Sequence, residues 1–188
     1  MKRLVPGIKM AWIAAIASCV GSVTVVAYAA LSAPKDAHVG FQAVGPAGLK
    51  IEGTTGDLSV AESDGNIVID VPLTNLSTGI ALRDHHMKEK YLEVPKYPSA
   101  TLVVARAALK LPAAGGAAES DVPATLKLHG QGRPVTVHYV AKSDAGGFSV
   151  DGKFRVKMDD FGISVPSYLG VTVKPDVNVT ASFHVAGN

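Results

Sequence analysis

Between Phe148 and Met158 the chain alternates at every step. Phe148, Val150, Phe154, Val156 and Met158 are apolar, and Ser149, Asp151, Lys153, Arg155 and Lys157 between them are polar or charged. A helix repeats its faces every 3.6 residues and cannot segregate such a pattern, whereas a strand turns successive side chains to opposite faces. The segment therefore reads as a strand with one buried face. The same reading applies four more times. Asn66–Thr74 puts Ile67, Ile69, Val71 and Leu73 on one face, with Asp70 and Pro72 on the other. Thr125–His129 turns Leu126 and Leu128 inward, and Pro134–Lys142 does so with Val135, Val137 and Tyr139. Val177–Val185 has Val179 and Phe183 inside, with Thr180 and His184 outside.

Turn clusters separate these runs: Asp64-Gly65-Asn66, Gly130-Gln131-Gly132 and Asp144-Ala145-Gly146-Gly147. Each predicts a hairpin. Ala113–Ala118 reads as a mobile loop. Only Leu82–Val94 breaks the β pattern; rich in charge and in helix formers, it predicts a short helix or irregular crossover. Many antiparallel strands with one apolar face each make either a closed barrel or a sandwich. The inward residues are cavity-lining candidates, though apolar residues at period two would equally pack a filled core.

The N-terminus constrains location. Lys2, Arg3 and Lys9 precede a charge-free run of 22 residues, Met10–Leu31, that ends in Ala27-Tyr28-Ala29. A basic start, an apolar stretch and a small-x-small site describe a secretory signal peptide. The domain plan is therefore a signal peptide over 1–29, a linker over 30–36 and one β-domain over 37–188. Two other readings stay open: the run is long enough for an uncleaved anchor, and Ile16-Ala17-Ser18-Cys19 resembles a lipoprotein signal. Each places the domain outside the cytoplasmic membrane, in the periplasm or secreted.

Cleavage after Ala29 would leave 159 of the 188 residues, enough for one domain with its own core. It would remove three of 18 basic residues and leave 15 against 16 acidic ones, a net charge of about −1. The basic pI of the whole chain thus gives no reason to expect nucleic-acid binding. The lone cysteine, Cys19, departs with the leader, so neither a disulfide nor a thiolate metal site is available to the domain. The sequence assigns no oligomeric state.

One cluster invites chemistry. Arg83-Asp84-His85-His86 offers a carboxylate and two imidazoles, and a metal- or His/Asp-dependent enzyme is one reading of it. Neighbours on a helix point about 100° apart, however, and rarely serve one ion. The alternative is a structural crossover in which Arg83 and Asp84 satisfy backbone groups or each other, Arg83 paired with a carboxylate or Asp84 capping a following helical turn, and the histidines lie near a barrel rim. No recognised catalytic spacing accompanies the cluster, and Asp159-Asp160-Phe161-Gly162 has none of the partners of a kinase motif. No catalytic residue, no metal and no cofactor is expected.

These segments also occur in a telling order: Gly79-Ile80-Ala81-Leu82-Arg83-Asp84-His85-His86-Met87, then Tyr91-Leu92-Glu93-Val94 and Lys96-Tyr97-Pro98, then Gly130-Gln131-Gly132-Arg133-Pro134-Val135, then Asp160-Phe161-Gly162-Ile163. The order resembles the YceI-like family over about Val39–Val185. The resemblance implies an extended antiparallel, lipocalin-like β-barrel with a short helical crossover. It further implies an exported, non-enzymatic carrier of polyisoprenoid or other long-chain lipid, with membrane contact for exchange. A structural or stress protein with a filled core is the third reading.

Overall fold

The structure, a computed structural model, describes residues 29–30, 34–168 and 171–186. The apolar N-terminal segment up to Tyr28, Cys19 included, lies outside the described residues. Among the described residues the chain is all-β apart from one helical crossover and short 3₁₀ turns. In order it forms β1 (Ala29–Ala30), β2 (Lys35–Val44), β3 (Lys50–Thr55), β4 (Ser59–Ser63) and β5 (Asn66–Pro72). Helix α1 (Ala81–His86) follows and continues as a wider π turn, Met87–Tyr91. Then come β6 (Ser99–Ala105), β7 (Ala117–Leu128), β8 (Gln131–Asp144), β9 (Gly147–Lys157), the short pair β10 (Ser167–Tyr168) and β11 (Val171–Thr172), and β12 (Asp176–Ala186).

Ten of these strands make one curled antiparallel sheet in the order β1-β4-β5-β6-β7-β8-β9-β12-β2-β3. The predicted alternation is matched by strands at β5, β7, β8, β9 and β12. The Ala113–Ala118 loop is shorter than expected: Gly116 N–H closes a turn on Ala113 O, and Ala117 and Ala118 already pair with Lys142 and Ala141. The predicted helical crossover is α1 and its π turn, which joins β5 to β6 across one end of the sheet. That end, the crossover end, also holds the β7–β8 hairpin. The opposite, far end holds the β4–β5 hairpin and the segment between β6 and β7.

Two prolines show where the sheet splays. Pro lacks an N–H and cannot donate to a ladder. Pro123 pairs with Thr136 on β8, just beyond Ala124, where β7 stops pairing with β6. Pro134 lies in the stretch of β8 before His138, where pairing with β9 begins. So near the crossover end β8 and β9 part.

The 3₁₀ turn Met158–Phe161 is tied to the hairpin across this gap. Arg133 Nε donates to Asp160 O at 2.7 Å, and His129 Nδ1 lies 3.0 Å from Phe161 O. The other ring nitrogen, His129 Nε2, is 2.6 Å from the Glu93 carboxylate, and the Tyr97 ring packs edge-on against the imidazole. The family-like segments thus meet at one place. His129 joins the crossover, the hairpin and the turn after β9.

Gly130 belongs to this junction. Its φ of 73° lies in the left-handed region, and a Cβ there would sit 2.7 Å from Tyr97 Cε1. Gly130→Ala is therefore expected to lower stability by about 1–2 kcal/mol from the backbone alone, with a further loss from displacing Tyr97. Chemical denaturation read by circular dichroism checks this, with Gly132→Ala, where a Cβ has room, as the control.

Candidate functional site: an apolar cavity under the crossover

The concave face of the sheet encloses a cavity of about 560 Å³, within the roughly 300–1,000 Å³ typical of ligand pockets. Side chains from seven strands wall it, Ile51 of β3 among them. Val39, Phe41 and Ala43 come from β2; Ile69 and Val71 from β5; Ala100 and Leu102 from β6. Leu126 and Leu128 come from β7, Phe154 and Val156 from β9, and Val177, Val179 and Ala181 from β12. The crossover end roofs it with Met87, Tyr91, Leu92, Phe161 and Ile163. Phe161 is almost wholly buried, at 1% exposure. Ile80 and Leu82 also line the cavity, yet are 53% and 67% exposed. They mark where the cavity meets solvent, at the start of α1.

The candidate lining residues divide. Ile69, Val71, Leu126, Leu128, Phe154, Val156 and Val179 face the cavity. Val135, Val137, Tyr139 and Val150 do not line it; Val137, Tyr139 and Val150 pack in a separate cluster with Val104, Val122, Ala124 and Ala141, and Val135 packs against both that cluster and the core on the cavity side. Ile67 is opposite Val104, and Phe183 is opposite Val150, both beyond the cavity toward the far end, and Phe148 lies farther still, opposite Val185. They share the inward face but not the level along the barrel. The roof residues went unnoticed as lining in the sequence because they sit on irregular backbone, where no period marks a face.

Glycine shapes one wall. Gly53 on β3 lies directly opposite Phe41, and a Cβ on Gly53 would fall 2.3 Å from Phe41 Cε1. The Phe41 ring therefore lies over the bare backbone of Gly53, in the space a side chain there would take. Gly53→Ala is expected to leave the fold intact, because the ring can swing inward, but to shrink the cavity. Titration with an apolar fluorescent dye should show weaker or fewer sites in Gly53→Ala than in the wild type, with the circular dichroism spectrum unchanged.

Polar lining is confined to the crossover side, where Thr78, Arg83 and His86 contribute. Arg83 and Asp84 each engage a backbone group as expected, both at Thr78, but the carboxylate partner and the cap need correcting. Among the described residues Arg83 pairs with no carboxylate: Nε donates to Thr78 Oγ1 and an NH2 group to Thr78 O, both at 2.8 Å. Asp84 does not cap a following turn. It reaches back, accepting from Thr78 N–H at 2.7 Å, from the Thr78 hydroxyl, and from the Ser77 hydroxyl at 2.7 Å. The reason is geometric. The helix starts only at Ala81, so the unpaired donors lie in the loop behind Asp84. His86 lines the cavity's edge and His85 does not; both are exposed, with ring centroids 6.0 Å apart. Among the described residues no three His, Cys, Asp or Glu side chains gather closely enough to hold a metal ion.

These hydrogen bonds, that of the Thr78 hydroxyl first and that of Ser77 second, hold the Asp84 carboxyl below its ordinary value of 3.8. A folded-state pKa below the unfolded one adds stability that is complete above the unfolded value and is lost as pH falls through the folded one. Asp84→Ala is expected to cost about 1–2 kcal/mol at neutral pH, and less as pH falls below about 4. Denaturation of both proteins across that range checks it.

Comparison with known proteins fits this architecture. A polyisoprenoid binding domain from Saccharophagus degradans, implicated in plant cell wall breakdown, matches with a TM-score of 0.70 and 21% identity, over 87% of this chain and 99% of that one. BcnA of Burkholderia cenocepacia matches with a TM-score of 0.63 and 18% identity, over 80% of this chain and 96% of that one. The YceI protein of Campylobacter jejuni matches with a TM-score of 0.54 and 14% identity, over 73% and 86%. At these identities the likeness concerns the fold. No curated protein matches the sequence. The model of the YceI-like domain matches residues 32–185, nearly all of the chain after its apolar N-terminal run, and the protein belongs to that family.

Proposed function

We propose that the protein is an exported carrier or store that holds one apolar chain, an isoprenoid or another long-chain lipid, in the cavity under the crossover. The observation that carries the reading is the cavity's lining: aliphatic and aromatic side chains all round, with Thr78, Arg83 and His86 as polar exceptions on one side. Water gains few hydrogen bonds in such a space, and an apolar chain entering it leaves water at a gain of about 25 cal/mol per Å² before ordering costs. The polyisoprenoid-binding description of the Saccharophagus degradans domain supports the same ligand class. The Arg83–Asp84 pair serves the crossover, its groups engaged by Ser77 and Thr78, which favours binding over catalysis. Export rests on Lys2, Arg3 and Lys9 ahead of the charge-free run and on Ala27-Tyr28-Ala29 at its end. The exposed Ile80 and Leu82 at the cavity's edge favour contact with a lipid surface during exchange.

One preparation tests both parts. The full chain, expressed so that its own N-terminal segment acts, is purified without detergent and extracted with organic solvent. Mass spectrometry is expected to find an apolar chain lipid in near-stoichiometric amount. N-terminal sequencing of the same material is expected to start near Ala30. An empty extract together with no uptake of added isoprenoid alcohols would overturn the carrier reading, and an intact Met1 in exported protein would overturn cleavage.

A further inference from the structure

The cavity occupies only part of the barrel. On β12 its lining runs from Val177 to Ala181, and on β2 from Ala43 to Val39. At about 3.3 Å per residue that is roughly 13 Å of strand. β8, by contrast, is 14 residues long, some 45 Å, and none of its side chains lines the cavity. Its inward residues Val137, Tyr139 and Ala141 are instead at most 7% exposed and fill the far half of the barrel with Val104, Val122 and Ala124.

This filling is fastened in place. Tyr139 Oη accepts from Lys110 N–H at 2.7 Å and donates to Lys110 O at 3.1 Å, which ties the segment between β6 and β7 across the far end. Leu109 packs on the same cluster from that segment. Leu102 and Phe154 stand at the boundary. Each lines the cavity and also packs against the buried cluster beyond it. They form a floor.

We infer that the cavity is blind and that Leu102 and Phe154, backed by the Tyr139 plug, set the length of chain the protein accepts. Chain entering past Ile80 and Leu82 gains apolar cover until its end meets Phe154. Any further unit stays near the mouth and gains little. The inference rests on the carrier reading above and adds the property that selects among its ligands.

Linear isoprenoid alcohols of rising length (geraniol, farnesol, geranylgeraniol and solanesol) provide the probes, with affinities measured by competition against an apolar dye. While a unit still finds cover, each should strengthen binding by about tenfold or more. The wild type is expected to gain affinity along the series and then level off. Phe154→Ala opens the floor and should move the plateau to a longer member. Ala181→Leu fills the deep end and should move it to a shorter one, changing the long-to-short affinity ratio by about tenfold in opposite directions. Should Phe154→Ala not fold, Phe154→Leu and Ala181→Leu carry the same test. Folded variants with the plateau of the wild type would overturn the length gauge and leave the carrier reading standing, as would wild-type affinity that rises to the longest chain. Binding of no member by the wild type would overturn the carrier reading and the gauge with it.

Discussion

An apolar interior left unfilled forfeits the dispersion contacts its lining would otherwise make, so walls around it tend to close in. The fold resists this with backbone. Each wall side chain is mounted on a strand hydrogen-bonded on one or both sides, and a strand cannot move inward without breaking its ladder. Where the ladder stops, between β8 and β9 near the crossover end, side chains take over. His129 and Arg133 hold the turn after β9 by its backbone carbonyls, which keeps Phe161 seated as a roof. The crossover is braced in the same manner, with the Thr78 hydroxyl accepting from Arg83 and donating to Asp84. Polar groups thus stay around the rim and spend themselves on structure, and the interior remains apolar.

The division between cavity and plug follows from residue size at matched levels. Gly152 and Ala181 are paired neighbours on β9 and β12, and Ala181 pairs with Val39. Small side chains on that side leave room. On the other side Val137 and Tyr139 fill the same height, and the Cβ position of Gly152 is 3.7 Å from a Val137 methyl. One barrel therefore holds a packed half that supplies stability and an open half that supplies a site. A domain without cysteine gains no cross-link, and the packed half is the obvious source of its cohesion.

Much of this was legible in the sequence. Period two identified β5, β8, β9 and β12 and chose their inward faces, because a half-buried strand imposes that period on its residues. It did not single out β6, where Leu102, Val103 and Val104 run without a polar break. Nor could it say which inward residues meet a cavity. Val150 and Phe154 lie on one face of one strand, yet Val150 faces the plug and Phe154 the cavity. That distinction belongs to register and to the sizes of partners far away in the chain. The charged crossover was recognisable, but its wiring was not, since Thr78, the hub between Arg83 and Asp84, carries no pattern that marks it.

The pairing of β2 with β12 has a consequence for how the chain reaches this state. Val39 lies opposite Ala181, 142 residues later, and between them the sheet proceeds mostly by hairpins between consecutive strands. Local ribbons, β2–β3 among them, can form as soon as their two strands exist, but the other edge of β2 has to wait for β12. Closing so long a loop is slow, because its entropy is lost before any contact repays it. Formation of β12 is thus the event that permits the sheet to close on β2. Until then the hairpins keep one apolar side each without its cover, so the apolar interior forms only when the two distant strands meet.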